Sequence, residues 1–536
     1  MSIDLKTRRE FLKLTSSGVS AVALSSLING NQAWGASKPK LHHAQKAKSV
    51  IFLYMSGGVS HVDSFDPKAA LKKRHGQPMP VAVERTQFDA NGNIFASPWE
   101  IGRYGKSGLE MTNMFPKIAE RADDLAIVRS MTAKFSEHAQ GNFFMHTGFP
   151  FLGYPSAGAW VNYGCGSMNP NLPGYVVLQS KRATTPHGGV SIFGNGFLPA
   201  ATQGSIFNIS GNQAVPNIAP GMLKVEQRRA LDFIGGLDRK FAERTAAKDA
   251  VMASVENAET AYLMQEAVPE LTDISEESEA TKELYGVNSS NEHQAEYARQ
   301  CLMARRLVER GVRFVELSCC SHGIGGGNGG NPWDQHGGLA EGHGKMAEQV
   351  DGPIAALLTD LKERGLLEET LVVFTGEFGR TPFSQGGNGR DHNPYGFSLW
   401  LSGGGVKGGQ THGATDELGY KAIDQVANVI SIEPPALRAA LDLFRKIVFP
   451  PNMVDIESNS EIGVIQFFAK IIGHPERRNR RTIPRINRMQ RLNQKSHAHP
   501  VGLIGNRADA IANLCVILAR RLPHRGPADQ NNTGKF

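Results

Sequence analysis

The feature that most constrains the fold is a series of short apolar runs alternating with longer helical stretches. The apolar runs are 48–54, 125–128, 175–178, 312–317, 371–374 and 397–401, and the helical stretches are 221–310 and 340–365. Short apolar runs bounded by glycine and polar residues are typical of strands buried on both faces. The alternation therefore predicts an α/β fold, a three-layer αβα sandwich around a mostly parallel central sheet. In such sheets ligands bind beyond the carboxyl ends of the strands.

The basic residues are concentrated at the end of the chain. The formal net charge is +7, but residues 471–536 contain 13 Lys and Arg against 3 Asp and Glu, so the first 470 residues carry −3. A mildly acidic body argues against a nucleic-acid partner. The atypical basic tail, 426–536, has no periodicity that would build a core. We interpret it as a frame-altered or lineage-specific segment, with a functional basic arm as the alternative.

The N-terminus carries an export signal. Residues 7–13 read TRREFLK, and a mildly apolar run rich in Ser and Gly follows. A twin arginine in this context matches the bacterial twin-arginine signal peptide, which predicts a partner, the twin-arginine export machinery, and a periplasmic or extracellular location. The apolar run is too short for a stable membrane span, and the signal is predicted to end near Ala36. A basic cytosolic helix is the alternative interpretation.

Four glycine-flanked segments at predicted strand ends carry metal-ligand residue types. They are SGGVSHVDSFDPK with His61, Asp63 and Asp66; NPWDQHGGLAEGHGK with Asp334, His336 and His343; TGEFGR with Glu377 and Arg380; and GRDHNPYG with Arg390, Asp391 and His392. Imidazole and carboxylate together suit zinc, manganese or iron, whereas carboxylates alone favour magnesium or calcium. A shared cation would offset the cost of burying Glu377 at the end of its apolar run.

Each segment taken alone has a simpler explanation. Asp334 and His336 are two residues apart, so on extended chain they point the same way and could form a loop hydrogen bond. Glu377 could pair with Arg380 or Arg390. The Asp-Pro sequence at Asp66 is compatible with a turn, and Asp391-His392 with a helix cap beside a surface histidine. The recurrence of such segments at successive strand ends favours a shared site.

A further stretch, residues 134–160, places His138 and His146 before a Thr147-Gly148 turn. The predicted order is strand, loop and short helix. A nucleophile at the start of that helix would face a metal-bound anion.

Together these motifs resemble the bacterial family named domain of unknown function 1501, within the alkaline phosphatase and sulfatase superfamily. The resemblance is carried by GGVSHVDSFDPK, the HTG turn, WDQHGG, DLKERGLLEETLVVFTGEFGRTP, GRDHNPYGFSLWLSGGGVKGG and GATDELGY, and covers about residues 45–425. It implies an αβα sandwich with a helical insert at about 221–310, and hydrolysis of phosphate or sulfate esters with one or two bound metals.

The resemblance also assigns positions and departures. The superfamily's metal-binding Asp and His fall on Asp334 and His336, its later Asp-His pair on Glu377 and Phe378, and its last histidine on His392. Phe378 cannot bind a metal, so one ligand is lost. Sulfatases carry a modified cysteine or serine where this chain has His138.

We therefore predict an exported metal-dependent hydrolase of sulfate or phosphate esters, with a sulfated glycan as one candidate substrate. Asp334, His336, Glu377 and His392 are the predicted ligands of a divalent metal, either zinc, calcium or manganese. Arg380 and Arg390 are predicted to clamp the anion. His138 or a metal-activated water is the predicted nucleophile, and His343 or His61 the proton donor. Because no usual nucleophile is present, a non-catalytic exported binding protein is the alternative function, and a structural role in a complex is a weaker third hypothesis.

Overall fold

The computed structural model describes residues 46–429 except 87, 89, 90, 184, 211–213, 246–247 and 326–329. The predicted signal peptide and cleavage position, and the basic tail from residue 430 onward, lie outside the described residues. Within the described ranges no helix is both long and apolar enough to cross a lipid bilayer.

Strands make up the centre of the molecule. Those within the described ranges are β1 (Ser49–Tyr54), β2 (Ile101–Tyr104), β3 (Leu109–Thr112), β4 (Ala126–Thr132), β5 (Tyr175–Gln179), β6 (Ser205–Asn208), β7 (Phe314–Ser318), β8 (Thr370–Thr375), β9 (Gly379–Gln385), β10 (Gly389–Asn393), β11 (Phe397–Gly403), β12 (Gln410–His412), β13 (Ala414–Thr415), β14 (Ala422–Asp424) and β15 (Ala427–Asn428). Every apolar run of the sequence coincides with one of these strands. The pairs β2–β3, β9–β10 and β13–β14 form small separate hairpins or ribbons.

The α-helices in the same part of the chain are α1 (Ala69–Lys73), α2 (Pro116–Ala119), α3 (His138–Thr147), α4 (Ala157–Cys165), α5 (Lys224–Ala242), α6 (Lys248–Thr272), α7 (Glu279–Tyr285), α8 (Glu292–Glu309) and α9 (Leu339–Glu363). Short 3₁₀ helices occupy His61–Asp63, Ala122–Asp124, Gly189–Phe193, Ala200–Thr202 and Leu367–Glu369. The predicted helical stretch 221–310 thus contains four helices, α5 to α8.

The central sheet has nine strands in the order β12-β4-β11-β8-β1-β7-β5-β6, with β15 also paired to β4. Neighbours pair in parallel except at β11, which is antiparallel to both β4 and β8. In the middle of the sheet, β1 lies between β8 and β7 in continuous register, from Val50 opposite Leu371 and Phe314 to Tyr54 opposite Thr375 and Ser318. The prediction of a mostly parallel sheet is confirmed.

Both faces of the sheet are buried, which is why its strands read as continuous apolar runs. Successive residues of β1 enter different cores: Val50 packs on one face, and Ile51 on the other. The core on the Ile51 face includes residues of α8 and α9, and that on the Val50 face residues of α3 and α4. Helices therefore cover both faces, which confirms the predicted three-layer αβα sandwich.

Candidate metal centre

The carboxyl ends of β1, β7 and β8 lie side by side, and each leads into a loop that carries polar residues. After β1, Gly57 and Gly58 adopt positive φ angles of 107° and 76°. A Cβ atom at Gly57 would lie 2.7 Å from the backbone nitrogen of Asp334, so only glycine allows the two loops to pack this closely. The glycines seen in the sequence thus bring the strand-end loops together.

Four side chains converge at this edge: His138, Asp334, His336 and His392. One potential ligand atom of each lies within 4.8 Å of all the others. The Nε2 atom of His138 is 3.1 Å from Oδ2 of Asp334. The Nε2 atoms of His336 and His392 are 2.9 and 3.1 Å from Oδ1 of the same carboxylate. Ligand atoms around a tetrahedral zinc ion lie roughly 3.3 Å apart, since zinc bonds are about 2.0–2.1 Å long. The three distances to Asp334 are close to this value, and the limit of 4.8 Å on the other pairs leaves room for one ion between the rings.

The outer nitrogen of each histidine is held by a hydrogen-bond acceptor. Nδ1 of His138 is 2.6 Å from Oε1 of Glu377, and Nδ1 of His392 is 2.5 Å from the carbonyl oxygen of Ser136. Nδ1 of His336 contacts the side-chain oxygen of Gln385. Each acceptor favours the tautomer with hydrogen on Nδ1, which leaves the Nε2 lone pair facing the cluster.

With all three imidazoles neutral, as metal ligands must be, this arrangement leaves the centre of the cluster short of positive charge. A neutral imidazole whose hydrogen is on Nδ1 presents a lone pair at Nε2, and a lone pair repels a carboxylate oxygen 3 Å away. The Nε2 atoms of His138 and His336 are buried and form no hydrogen bond to any described residue. A cation between the imidazoles and Asp334 would satisfy both, so the residues present fit a divalent metal ion.

The electrostatics agree with a ligand role for Asp334. Burial disfavours its charge, but Arg380 and the neighbouring imidazoles hold the pKa of Asp334 well below its usual range. Burial also works against a charged His138, but its contacts with Asp334 and Glu377 prevail and raise the pKa of His138 to about 9, so without a metal the ring carries a proton on Nε2 that a bound cation would replace. In His392 burial prevails and lowers the pKa to about 3. Asp334 is therefore ionised at neutral pH, as a metal ligand must be.

Glu377 occupies a different position from the one predicted. It accepts the Gly57 backbone N–H at 2.9 and 3.1 Å, and its other close neighbours are His138 and, at 3.4 Å, the hydroxyl of Tyr54. Glu377 is therefore hydrogen-bonded to a member of the cluster but is not itself a member. His138 occupies the ligand position that the sequence predicted for Glu377. The carboxylate at the end of β8 is stabilised by a backbone N–H and an imidazole.

The two arginines do not form the predicted anion clamp. Arg380 and Arg390 are fully buried. Nη2 of Arg380 is 2.7 Å from Oδ1 of Asp334, and its other nitrogens donate to backbone carbonyls. Arg390 forms a two-pronged pair with Asp63, at 2.6 and 3.0 Å. Both guanidinium groups therefore act inside the protein, where they neutralise buried carboxylates.

The predicted proton donors are also enclosed. His343 is fully buried, its Nε2 accepts the backbone N–H of Ser60 at 3.1 Å, and its pKa is lowered to about 3 by burial. His61 is buried as well, with Nε2 2.7 Å from the carbonyl oxygen of Gly419. Neither ring joins the cluster. A half-buried histidine that sequence reasoning missed, His187, lies beside it, with its ring 6.0 Å from the ring of His138.

Access to the cluster is on the His336 side. The His336 side chain is 25% exposed, whereas His138, Asp334 and His392 are buried. The exposed ring of Phe88 lies edge-on to His336, with ring centroids 4.7 Å apart. A ligand entering from solvent would meet this phenyl ring and His336 first.

Comparison with protein families identifies the chain. The family model described as "Protein of unknown function (DUF1501)" matches residues 47–451. The chain belongs to the DUF1501 family. The match extends 26 residues beyond residue 425, where the resemblance read from the motifs ends. Comparison of this DUF1501 protein with curated proteins gives no match.

Several solved structures are similar to this DUF1501 protein at low identity. The sulfatase PsFucS1 from Pseudoalteromonas sp. is 13% identical, with a TM-score of 0.31 and coverage of 76% of this chain and 70% of that one. The alkaline phosphatase from the Antarctic bacterium TAB5 is 10% identical, with a TM-score of 0.29 and coverage of 69% and 95%. The lipoteichoic acid synthase LtaP from Listeria monocytogenes is 9% identical, with a TM-score of 0.33 and coverage of 75% and 79%.

Proposed function

We propose that this DUF1501 protein is an exported metal-dependent hydrolase of sulfate or phosphate esters, including esters carried by polysaccharides. The observation that carries the proposal is the convergence of three Nε2 atoms on the carboxylate of Asp334. His138, His336, His392 and Asp334 would hold one divalent metal ion. Such an ion, when bound, acts as a Lewis acid toward an ester oxygen and lowers the pKa of water. Three imidazoles and one carboxylate favour zinc or manganese over calcium.

The other residues of the site have supporting roles in this proposal. Glu377 fixes the orientation of His138 and raises its basicity as a ligand. Asn331 donates its side-chain N–H to Nδ1 of His187 at 3.1 Å, which leaves hydrogen on Nε2. His187 is half-buried. We assign the proton-donor role, predicted for His343 or His61, to His187.

Water is the proposed nucleophile. Helix α3 begins with His138, preceded by Glu137, whose carboxylate accepts the backbone N–H groups of Ala139 and Gln140. The first turn of this helix, 138–141, contains neither a hydroxyl nor a thiol side chain. An imidazole turned toward the metal position cannot also attack a phosphorus or sulfur atom, so His138 is a ligand in this scheme.

Metal content and turnover test the proposal directly. We expect purified full-length protein to contain about one zinc or manganese per chain, and to cleave 4-nitrophenyl phosphate or sulfate. Chelation should abolish cleavage, and the same metal should restore it. Protein without metal, even after incubation with zinc, manganese and calcium in turn, would contradict the proposal.

A non-catalytic binding protein is the second candidate function, and the missing hydroxyl at the start of α3 favours it. Bound metal without turnover of either ester would support this alternative. Binding of a sulfated or phosphorylated glycan to the metal-loaded protein, lost on chelation, would then be expected.

Export is part of the proposal and has its own test. Replacing Arg8 and Arg9 by lysine should retain the protein in the cytoplasm, because the twin-arginine receptor reads that pair. Cell fractionation with antibody detection measures this. A protein that reaches the periplasm with both arginines replaced would contradict the assigned route.

Glu377→Gln should weaken metal binding without removing any ligand. An amide oxygen is a poorer acceptor than a carboxylate for Nδ1–H of His138, and loss of such outer partners lowers metal affinity about 10–100-fold. Competition with a fluorescent chelator measures the dissociation constant. The matched control is Glu316→Gln, which alters the buried partner of His146, a histidine outside the cluster. Equal effects of the two substitutions would rule out a specific role for Glu377.

A further inference from the structure

Helix α5 has its large apolar side chains on the solvent-exposed face, whereas an ordinary surface helix has them on the face toward the core. It packs against α6, where Arg228 pairs with Glu259 at 2.7 Å. The buried residues of α5 are small, Gly235 and Ala242. Its large apolar residues face away from α6. A surface helix normally turns its large apolar side chains toward its own core.

The outward face is a continuous apolar stripe. We use the name α5 stripe for five residues that have the spacing of a single helical face: Ala230, Phe233, Ile234, Leu237 and Phe241. Its large members are half or more exposed: Phe233 68%, Ile234 53%, Leu237 51% and Phe241 53%. Leu223 and Val225, at the start of the helix, are also exposed. Apolar patches this extended mark interaction sites.

The area is sufficient for a stable interface. Phe233 and Phe241 would each bury about 150–250 Å² if fully covered and the four aliphatic residues somewhat less, so covering just over half of all six would contribute roughly 500 Å². A standard protein interface buries about 800 Å² on each partner. If the polar residues that flank the α5 stripe are also covered, the area buried on each partner reaches about that value.

The charges beside the stripe favour a second copy of the chain as the occupant. Glu226 and Lys240 are exposed and lie seven residues before and after Phe233. If two α5 helices pack antiparallel about a two-fold axis at Phe233, Glu226 meets Lys240 of the partner subunit, twice per dimer. Self-complementarity of this kind is what a two-fold interface requires.

Two other occupants fit the charges less well. Residues 224–244 contain six basic and four acidic residues, so residues 471–536, which carry a charge of +10, would be repelled by a segment of like sign. An anionic membrane surface selects helices with a basic polar face, and the four acidic side chains oppose that.

We propose that the α5 stripe is a homodimer interface, formed by antiparallel packing of α5 on α5. This inference is independent of the proposed hydrolase activity. Sedimentation velocity of the full chain over a range of concentrations tests it. Phe233→Lys should raise the dimer dissociation constant at least about 100-fold, because one substitution places two lysines at the centre of the interface.

The control is Val190→Lys, which changes another well-exposed apolar residue (60%) in the 3₁₀ helix Gly189–Phe193. It should leave the dissociation constant unchanged. A chain that is monomeric at all concentrations, or a dimer that Phe233→Lys does not weaken, overturns the proposal.

Charge reversal distinguishes self-association from the other occupants. Glu226→Lys or Lys240→Glu alone should weaken the dimer about tenfold, because each places like charges opposite each other. The double variant exchanges the two charges and should return the dissociation constant to within about threefold of the original. If the double variant dimerises no more tightly than either single variant, the antiparallel arrangement is overturned. If the protein instead binds anionic vesicles through the α5 stripe, or if it is a monomer whose basic tail crosslinks to α5, the proposal of a homodimer is overturned.

Discussion

Asp334→Asn should remove both the bound metal and the hydrolytic activity of the protein. The carboxylate touches all three imidazoles of the cluster, so its loss takes away the anionic ligand and the centre around which the others are arranged. An amide oxygen is neutral and binds zinc or manganese weakly. We expect metal affinity to fall by more than about 100-fold, and ester cleavage to fall below detection. Elemental analysis after dialysis and a 4-nitrophenyl ester assay measure the two effects.

The substitution also leaves the buried Arg380 without its closest negative partner. Some loss of stability is therefore expected, and metal content should be expressed per folded chain from circular dichroism. Asp360→Asn is a suitable control, because Asp360 is also buried and paired with arginine, at 3.0 Å from Arg305. That variant should lose stability and keep its metal. Retention of a full metal equivalent by Asp334→Asn would refute the proposed centre.

The fold could be predicted from the sequence because the central strands are buried on both faces. The runs at 48–54, 312–317 and 371–374 each coincide with a parallel strand, and within those strands the only charged residue is Glu316, since Lys48 and Arg313 precede theirs. The direction of β11 could not be predicted. Its run, 397–401, reads like the others, but it follows the β9–β10 hairpin closely and returns antiparallel beside β8.

The candidate site was predicted in part, for reasons of side-chain direction. Asp334, His336 and His392 were predicted together and are brought together. His138, predicted as a nucleophile, takes the ligand position predicted for Glu377. Glu377 follows β8 and turns back to the backbone of Gly57, whereas His138 begins a helix that carries it into the cluster. A strand-end position fixes where a residue lies, but the loop that follows decides which way its side chain points.

The arginines show a second limit of sequence reasoning. Arg380 and Arg390 flank the site in sequence, and an anion clamp is a reasonable role for such a pair. Each has a buried carboxylate partner in a distant segment, Asp334 for the first and Asp63 for the second. Asp63 was identified as part of a ligand-rich segment, but nothing near it in the sequence indicates that its partner is 327 residues away.

Asp63→Ala should lower the free energy of unfolding by about 3–5 kcal/mol, because it leaves the guanidinium of Arg390 buried and unpaired. Both side chains have zero exposure, and two nitrogens of Arg390 reach the carboxylate at 2.6 and 3.0 Å. The same pair anchors β10, which carries His392, so metal affinity should also fall. Urea unfolding of the metal-free protein isolates the stability effect. Breaking the exposed pair of Arg103 and Glu110 with Glu110→Ala should cost less than about 1 kcal/mol.

The pH dependence of this effect has a definite sign. Burial raises the pKa of Asp63, but its bonds with Arg390 outweigh burial and hold the pKa below its ordinary value. The stabilisation is therefore complete above about pH 4, the pKa in the unfolded chain, and is lost as the pH falls further through the folded-state pKa. The stability gap between wild type and Asp63→Ala should be constant from pH 8 to about pH 5, and should narrow only in stronger acid. If the gap narrowed between pH 8 and pH 6 instead, an imidazole rather than this carboxylate would control it, and the pair with Arg390 would not be the source of the stability.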